Sequence, residues 1–302
     1  MADITRREFV RDAAAIAMAA RVLPHTPQSM LTRPIPNTNE QLPVVGLGTW
    51  QTFDPSSTSP DVLARLEQTL RVFHDAGGRV IDSSPMYGKS EEIVGRLTTK
   101  LGLNPSFFIA TKVWTTGRDA GVRQMETSMR LLGRQRIELM QVHNLVDWRT
   151  HLATLRDWKE RGRIKYIGIT HYTPSAYDEL ERVMRSEKPD FVQLAYSIGV
   201  RDAERRLLPL AADLGIAVLV NRPFEGGGLF SHARTKPLPA FVQSFADSWA
   251  QAFVKFILAH AAVTCVIPGT GNPEHMRDNV GAGNGRLPTP EECRQLVAAV
   301  SS

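Results

Sequence analysis

The chain has 302 residues, 42% hydrophobic and 22% charged, with a formal net charge of +5. That composition belongs to a folded globular protein and excludes a disordered or collagen-like chain, while the length suits one α/β barrel, which takes ~250 residues. The mild positive charge comes without a dense Lys/Arg tract interleaved with aromatics, which argues against nucleic-acid binding; a mouth that receives an anionic cofactor accounts for it as well.

The amino-terminal region stands apart. Thr5-Arg6-Arg7-Glu8-Phe9-Val10-Arg11 resembles a twin-arginine export signal, followed by the Ala-rich stretch Ala13 to Ala20 and a polar Pro/Thr/Ser linker as far as Thr38. The apolar stretch is shorter than the ~20 residues needed to span a bilayer. The resemblance implies export machinery as a partner and a periplasmic location. The alternative is a cytoplasmic protein whose Arg-Arg pair sits by accident on an amphipathic helix. Residues 1–32 are therefore set aside as signal segment and linker, and residues 33–302 are read as one domain.

From Leu42 onward, apolar runs alternate with segments of helical period. Val44 to Gly48 is the first strand, and Asp61 to Ala76 its helix, with Val62, Leu66, Leu70 and Phe73 on one face. Arg79 to Asp82 leads to a helix over Glu91–Leu101, and Phe107 to Lys112 to a helix over Ala120–Leu132 with Gly133 as its C′ residue. Arg136 to His143 precedes a helix over Arg149–Arg161 closed by Gly162. Ile164 to Thr170 precedes a helix from Pro174 to Ser186, and Phe191 to Ala195 one over Ala203–Leu214. Ile216 to Val220 opens a long excursion, Asn221 to Ala240, before a helix over Ser248–His260. Val263 to Ile267 is the eighth strand, with a helix opening at Pro273 and an additional terminal helix over Glu291–Val300. Eight βα units, with no G-x-G-x-x-G turn after the first strand, predict a closed (β/α)₈ TIM barrel with a further carboxy-terminal helix.

Four chemically distinct side chains fall at or just beyond strand ends: Asp82, Tyr87, Lys112 and His143. Carboxyl ends of successive parallel strands converge on one mouth, so an acid, a phenol, an ammonium and an imidazole are expected to meet there. Together they can move a proton. Tyr87 is the donor, Lys112 lowers the cost of its phenolate, Asp82 holds the lysine charged, and His143 aligns a substrate oxygen. Cys265 and Cys293 lack metal-ligand spacing and are read as inert thiols; no metal is implied.

Gly46-Leu47-Gly48-Thr49-Trp50, Ile81 to Gly88, the Lys112 strand end, Gln141-Val142-His143-Asn144 and Ile267-Pro268-Gly269-Thr270 occur in this order. That pattern resembles the aldo-keto reductase family, and the likeness covers about Arg33 to the end. It implies NAD(P)H-dependent reduction of an aldehyde or ketone, or the reverse oxidation, with the four residues in the roles above. It also implies a dinucleotide extended over the mouth. Thr170, His171 and Gln193 would meet the nicotinamide carboxamide, with His171 standing where the family usually has Asn. Asn221 replaces an aromatic that stacks on the nicotinamide, and Arg222 follows it, to cover the ring or bind the pyrophosphate. Thr270, Arg277, Asp278 and Asn279 match the adenosine-phosphate segment, at a helix start suited to phosphate. Family members that prefer NADPH often carry Lys at the place of Gly269 and Arg at that of His275; Arg277 would compensate, and NADPH is expected over NADH. Trp50 and Trp114 would wall the pocket of a small carbonyl substrate, whereas Trp148 and Trp158 can equally be helix-packing residues. The Gly226-Gly227-Gly228 run is read either as a hinge or as plain loop. Two other functions remain open: a non-catalytic dinucleotide-binding regulatory subunit of the same fold, and a lyase forming a Schiff base on Lys112.

Overall fold

In the computed structural model, residues 30–233 and 236–301 are described. The expected export signal lies outside them. Among the described residues no helix is long and apolar enough to cross a membrane.

Eight parallel strands carry the fold: β3 (Leu47–Gly48), β4 (Val80–Asp82), β5 (Phe108–Val113), β6 (Ile137–Val142), β7 (Ile164–His171), β8 (Phe191–Ala195), β9 (Ala217–Asn221) and β10 (Val263–Val266), each hydrogen-bonded to the next in chain order. The ring closes between its first and last strands. Gly46 N donates to Val266 O at 2.8 Å, Val266 N to Val44 O at 2.9 Å, and Gly48 N to Pro268 O at 3.1 Å. This is the expected (β/α)₈ barrel.

Helices α1 (Pro60–Asp75), α2 (Ser90–Lys100), α3 (Arg118–Leu131), α4 (Trp148–Glu160), α5 (Tyr177–Glu187) and α6 (Leu207–Leu214) follow β4's predecessor through β8 in turn; α7 (Gly228–Ala233) and α8 (Trp249–Leu258) follow β9, and α9 (Pro273–Gly281) and α10 (Pro290–Ser301) follow β10. Their apolar stripes explain their placement: in α1, Leu66, Thr69, Leu70 and Phe73 are buried and the remaining faces are solvated. Gly133 and Gly162 take the left-handed φ (66° and 71°) expected just past α3 and α4. Two helices start a turn later than their periodicity predicts. Residues 174–176 and 202–205 wind as 3₁₀ turns before α5 and α6, because a first turn without side-chain caps tightens to reach its own carbonyls.

The polar stretch expected as linker up to Thr38 is instead part of an antiparallel hairpin, β1 (Thr32–Pro34) with β2 (Gln41–Pro43). Its prolines sit on a two-stranded edge, where missing N–H groups cost little. Ile35 and Leu42 are buried in one cluster with Val80, Phe108, Ala110, Leu139, Tyr166, Phe191, Ala217, Leu219, Cys265 and Ile267. Those strand residues alternate with others packed under the helices, so they form the barrel interior. The hairpin therefore plugs the amino-terminal end. Two residues further along several strands, the same inward face turns polar: Asp82, Lys112, Gln141, Gln193 and Asn221.

Candidate active site

Period-two alternation delivers the site. Asp82 follows the inward Val80 by two positions, Lys112 follows Ala110, Gln141 follows Leu139, Gln193 follows Phe191, and Asn221 follows Leu219. Asp82 and Lys112 are almost wholly removed from solvent, at 2% and 0% exposure. Lys112 Nζ donates to Asp82 Oδ2 at 2.6 Å and to the Ser83 carbonyl at 2.7 Å. The other carboxylate oxygen, Oδ1, accepts from Gln141 Nε2 at 3.1 Å and Gln193 Nε2 at 2.8 Å. Every formal charge in this layer thus has a partner, which burial demands. Thr49, fully buried on the neighbouring loop, donates to the Asp82 carbonyl at 3.0 Å and contacts Ser83 Oγ at 3.0 Å, setting the turn that aims the Ser83 carbonyl at the lysine.

Tyr87 lies over this pair, with Lys112 Nζ 5.0 Å from its ring centroid, and its ring meets His143 edge-on at 5.8 Å between centroids. Burial pushes the Tyr87 phenol above its ordinary pKa, against the pull of the Lys112 charge. The sequence-based expectation named only that pull; desolvation outweighs it. Burial also works against the Lys112 ammonium, but Asp82 and Tyr87 override it and raise its pKa. His143 is pushed down to about 2 by burial, then by Lys112 and His171, so its imidazole is neutral across the physiological range. Its Nδ1 sits 3.0 Å from Ser84 Oγ.

The remaining predicted residues lie on or after β7, β8, β9 and β10, with differing neighbours. Thr170 Oγ1 accepts from the Asn144 backbone at 3.2 Å. His171 Nδ1 accepts from Thr173 N at 3.2 Å, and its ring stacks on Tyr172 at 5.9 Å. The Arg222 guanidinium lies 5.6 Å from the same tyrosine ring. Asn221 Nδ2 donates to Gln193 Oε1 at 3.2 Å, whereas Asn221 Oδ1 is buried with no hydrogen-bond partner among the described residues. Thr270 Oγ1 accepts from Asn272 N at 3.1 Å, shaping the entry to α9. On that helix Arg277 pairs with Glu274 at 2.5 Å on the exposed face, and Asn279 is buried. Both Asp278 oxygens accept from Ser248 Oγ, at 2.8 and 2.9 Å, and Oδ1 also from Gln251 Nε2. Asp278 therefore braces the residue that caps α8.

Trp50 and Trp114 are exposed at the mouth, Trp114 tilted 6.3 Å from His143. Trp148 Nε1 donates to Glu179 and Trp158 is buried in the helix layer, so both belong to helix packing. The glycine run after β9 forms a 3₁₀ turn leading into α7, anchored by Glu225 Oε1 accepting from Ser197 Oγ at 2.5 Å.

Sequence reasoning passed over Gln141, Ser84, Met86 and Tyr172. Gln141 was legible in principle, since it lies two positions beyond the inward Leu139 on the same strand face. Its room comes from Gly168 across the β6–β7 pairing, where a Cβ would stand 2.7 Å from Gln141 Cγ. Met86 and Tyr172 extend the apolar rim of Trp50 and Trp114; these four are exposed on loops after β4, β7, β3 and β5. Six of the eight non-glycine residues with positive φ among the described residues also lie on mouth loops: Gln51, Asn144, Leu145, Asp147, Arg222 and Glu225. Backbone strain concentrated around one end marks a functional face.

A barrel with a buried acid–lysine pair under a phenol and a neutral imidazole is an α/β barrel whose mouth holds groups able to transfer a proton. The sequence model of the aldo/keto reductase family matches residues 44–300. An aldo-keto reductase of Mycobacterium sp. (strain KMS) is 31% identical over 255 residues, spanning 80% of this chain and 84% of that protein. The methylglyoxal reductase YeaE of Escherichia coli (strain K12) is 26% identical over 248 residues, 79% of this chain and 84% of the relative. Among solved structures, an aldo-keto reductase from Klebsiella pneumoniae in complex with NADPH superposes with a TM-score of 0.74 at 23% identity, covering 89% of this chain and 94% of that one. The chain belongs to the aldo/keto reductase family and is an oxidoreductase.

Proposed function

We propose that this protein reduces an aldehyde or ketone to an alcohol, or runs the reverse oxidation, using a nicotinamide dinucleotide, NADPH over NADH, with Tyr87 as proton donor. The observation that carries this reading is the stack of Asp82, Lys112 and Tyr87 beside a neutral His143. The dinucleotide supplies the hydride when bound.

The protein's own residues handle the oxygen. A carbonyl oxygen that gains a hydride at carbon develops alkoxide character and needs a proton. Tyr87, its pKa raised by burial, is fully protonated at neutral pH and has that proton to give. As it gives it up, the buried Lys112 ammonium, 5.0 Å from the ring centroid, stabilises the phenolate in a medium of low dielectric. Asp82 keeps the ammonium in place and charged. Ser84 Oγ accepts from Met86 N, which leaves its hydroxyl proton for His143 Nδ1; in the tautomer this favours, His143 carries its proton on Nε2 and donates a neutral hydrogen bond to the same oxygen.

The residues present fit a dinucleotide. The unpartnered Asn221 Oδ1 calls for a donor, and Thr170, His171, Gln193 and Arg222 on or just after β7, β8 and β9, with Thr270, Arg277, Asp278 and Asn279 on the stretch after β10, are the residues that would hold such a ligand. The Klebsiella structure carrying NADPH supports the cofactor assignment. The exposed aromatics Trp50 and Trp114 favour a substrate with an apolar flank. A Schiff-base lyase is disfavoured, because a lysine held protonated by two partners at 0% exposure offers no free amine. The Arg6-Arg7 motif supports export to the periplasm; cell fractionation of the native chain and an Arg6→Lys/Arg7→Lys variant tests that part.

Tyr87→Phe tests the reading. Its turnover of NADPH with a carbonyl panel should fall by at least about a hundredfold, the scale of a lost general acid, while dinucleotide binding followed by fluorescence quenching stays within a factor of two or so. Equal turnover in the variant and the wild type would sink the assignment.

A further inference from the structure

The polarity of a chain of amides can be read outward from Asp82. An ionised carboxylate only accepts hydrogen bonds, so the amide nitrogen of Gln193, not its oxygen, must face Asp82 Oδ1 at 2.8 Å. Gln193 Oε1 is thereby turned towards Asn221, and accepts from Asn221 Nδ2 at 3.2 Å. Asn221 then has its own orientation imposed. Its nitrogen faces down into the barrel, and its oxygen is left as a buried acceptor without a partner. Asn221 ends β9 on the inward face, two residues beyond the buried Leu219, so this acceptor stands at the top of the polar layer.

We propose that Asn221 is a positioning residue, whose amide, oriented through Gln193 by the Asp82 carboxylate, presents an acceptor to the carboxamide N–H of the bound nicotinamide and links that contact to the Asp82–Lys112 pair. The inference rests on the dinucleotide-dependent function proposed above. It assigns a reason for an asparagine at this place: its amide can donate to Gln193 with one atom and accept from a ligand with the other. The link is two-way. A change in the side chain at 221 that reverses Gln193 would set Gln193 Oε1 against Asp82 Oδ1, and Asp82 is what holds Lys112 beneath Tyr87. The groups facing this pair are Lys112 of β5, Gln141 of β6, Gln193 of β8 and Cys265 of β10, with Tyr87 and His143 beyond the ammonium.

Two substitutions separate the two ends of the chain. Asn221→Ala removes the outward acceptor and leaves Gln193 on Asp82. It should weaken NADPH binding by about tenfold, the worth of one buried hydrogen bond, without moving the Tyr87 titration of the cofactor-free enzyme. That titration is read as phenolate absorbance against Tyr87→Phe. Asn221→Asp keeps an outward acceptor but can no longer donate to Gln193. It should bind NADPH within a few-fold of wild type, yet raise the Tyr87 titration by about half a unit or more, as Asp82 loses a donor. In a Gln193→Met background, which cuts the chain, Asn221→Asp should leave the titration where Gln193→Met alone puts it. Thermal melts report whether each variant folds. A wild type that binds NADPH and turns over, with Asn221→Ala binding equally well, overturns this inference alone. So does a titration shift that survives in the Gln193→Met background. A wild type that fails to bind dinucleotide overturns both the inference and the function on which it rests.

Discussion

Replacing Asp82 by Asn removes the one formal negative charge that, among the described residues, touches a lysine of 0% exposure, and the consequence can be bounded from the geometry. The new side chain is isosteric, so packing is unchanged and the effect is electrostatic. Gln141 and Gln193 both donate to Asp82 Oδ1, so the asparagine oxygen must stay on their side and its NH₂ must face Lys112 Nζ, donor against donor. The ammonium keeps only neutral partners among the described residues, the Ser83 carbonyl at 2.7 Å and the Tyr87 hydroxyl. Leaving a buried charge unpaired costs about 3–5 kcal/mol. The protein can escape by folding with the lysine neutral, which at pH 7.5 costs the distance from an ordinary lysine pKa, roughly three units at ~1.36 kcal/mol each, or about 4 kcal/mol. The smaller of the two routes sets the loss, so Asp82→Asn should cost about 3–4 kcal/mol in urea unfolding at pH 7.5 with an unchanged m value. The pH dependence gives a second, independent reading. In the wild type the Lys112 pKa is raised, so its contribution is fully present below the ordinary lysine value and lost as pH climbs through the higher folded value. In the variant the folded pKa is depressed, so stability should instead recover as pH rises towards 10. Lys112→Met in the same background should restore most of the loss. A variant within about 1 kcal/mol of wild type at pH 7.5, with no alkaline recovery, would refute the account of a desolvated, obligately paired charge.

Three further outcomes follow from the geometry. Gly168→Ala places a methyl 2.7 Å from Gln141 Cγ and should cost about 1–3 kcal/mol by overpacking, seen as a lowered Tm; a neutral substitution would mean Gln141 moves freely. The His143 pKa of about 2 lies below its ordinary 6.5, so the unfolded chain takes up a proton that the folded one refuses. Stability should therefore fall as pH drops below 6.5, by up to ~1.36 kcal/mol per unit, and His143→Gln should flatten that limb; an equal slope in both proteins contradicts the assignment. Glu91 is buried at the α2–α3 contact, accepting from Thr111 Oγ1 at 2.5 Å and Ser128 Oγ at 2.9 Å, and burial raises its pKa. Its contribution is present at low pH and lost as pH rises through the raised value, so Glu91→Gln should be more stable than wild type at pH 7 and match it at pH 4. The reverse order in paired melting curves would show that the ionised form is the better accommodated one.

The order of the elements was readable because each rests on local periodicity. Leu66, Leu70 and Phe73 repeat at helical spacing, and Phe108, Ala110 and Lys112 alternate as a strand must. The hairpin at Thr32–Pro43 was not readable, because its burial is supplied by strands far along the chain: Ile35 and Leu42 have no amphipathic pattern of their own. Asp82, Tyr87, Lys112 and His143 could be named because each lies at or just beyond the end of a strand run, and parallel topology sends all such ends to one face. Their electrostatics could not be named. The phenol pKa is a contest between desolvation and the Lys112 charge, and desolvation depends on atoms contributed by other loops.

From the sequence alone come the barrel, the family resemblance, and the acid, phenol, ammonium and imidazole at consecutive strand ends. These follow from near-neighbour periodicity and from residue identity, which are local quantities. Only the tertiary structure decides which oxygen of Asp82 serves Lys112 and which serves the two glutamines, why Gly168 must leave room for Gln141, and that the Asn221 oxygen is left over. Each depends on distances of about 3 Å between strands separated by dozens of residues, and hydrogen-bond polarity passes only through such contacts.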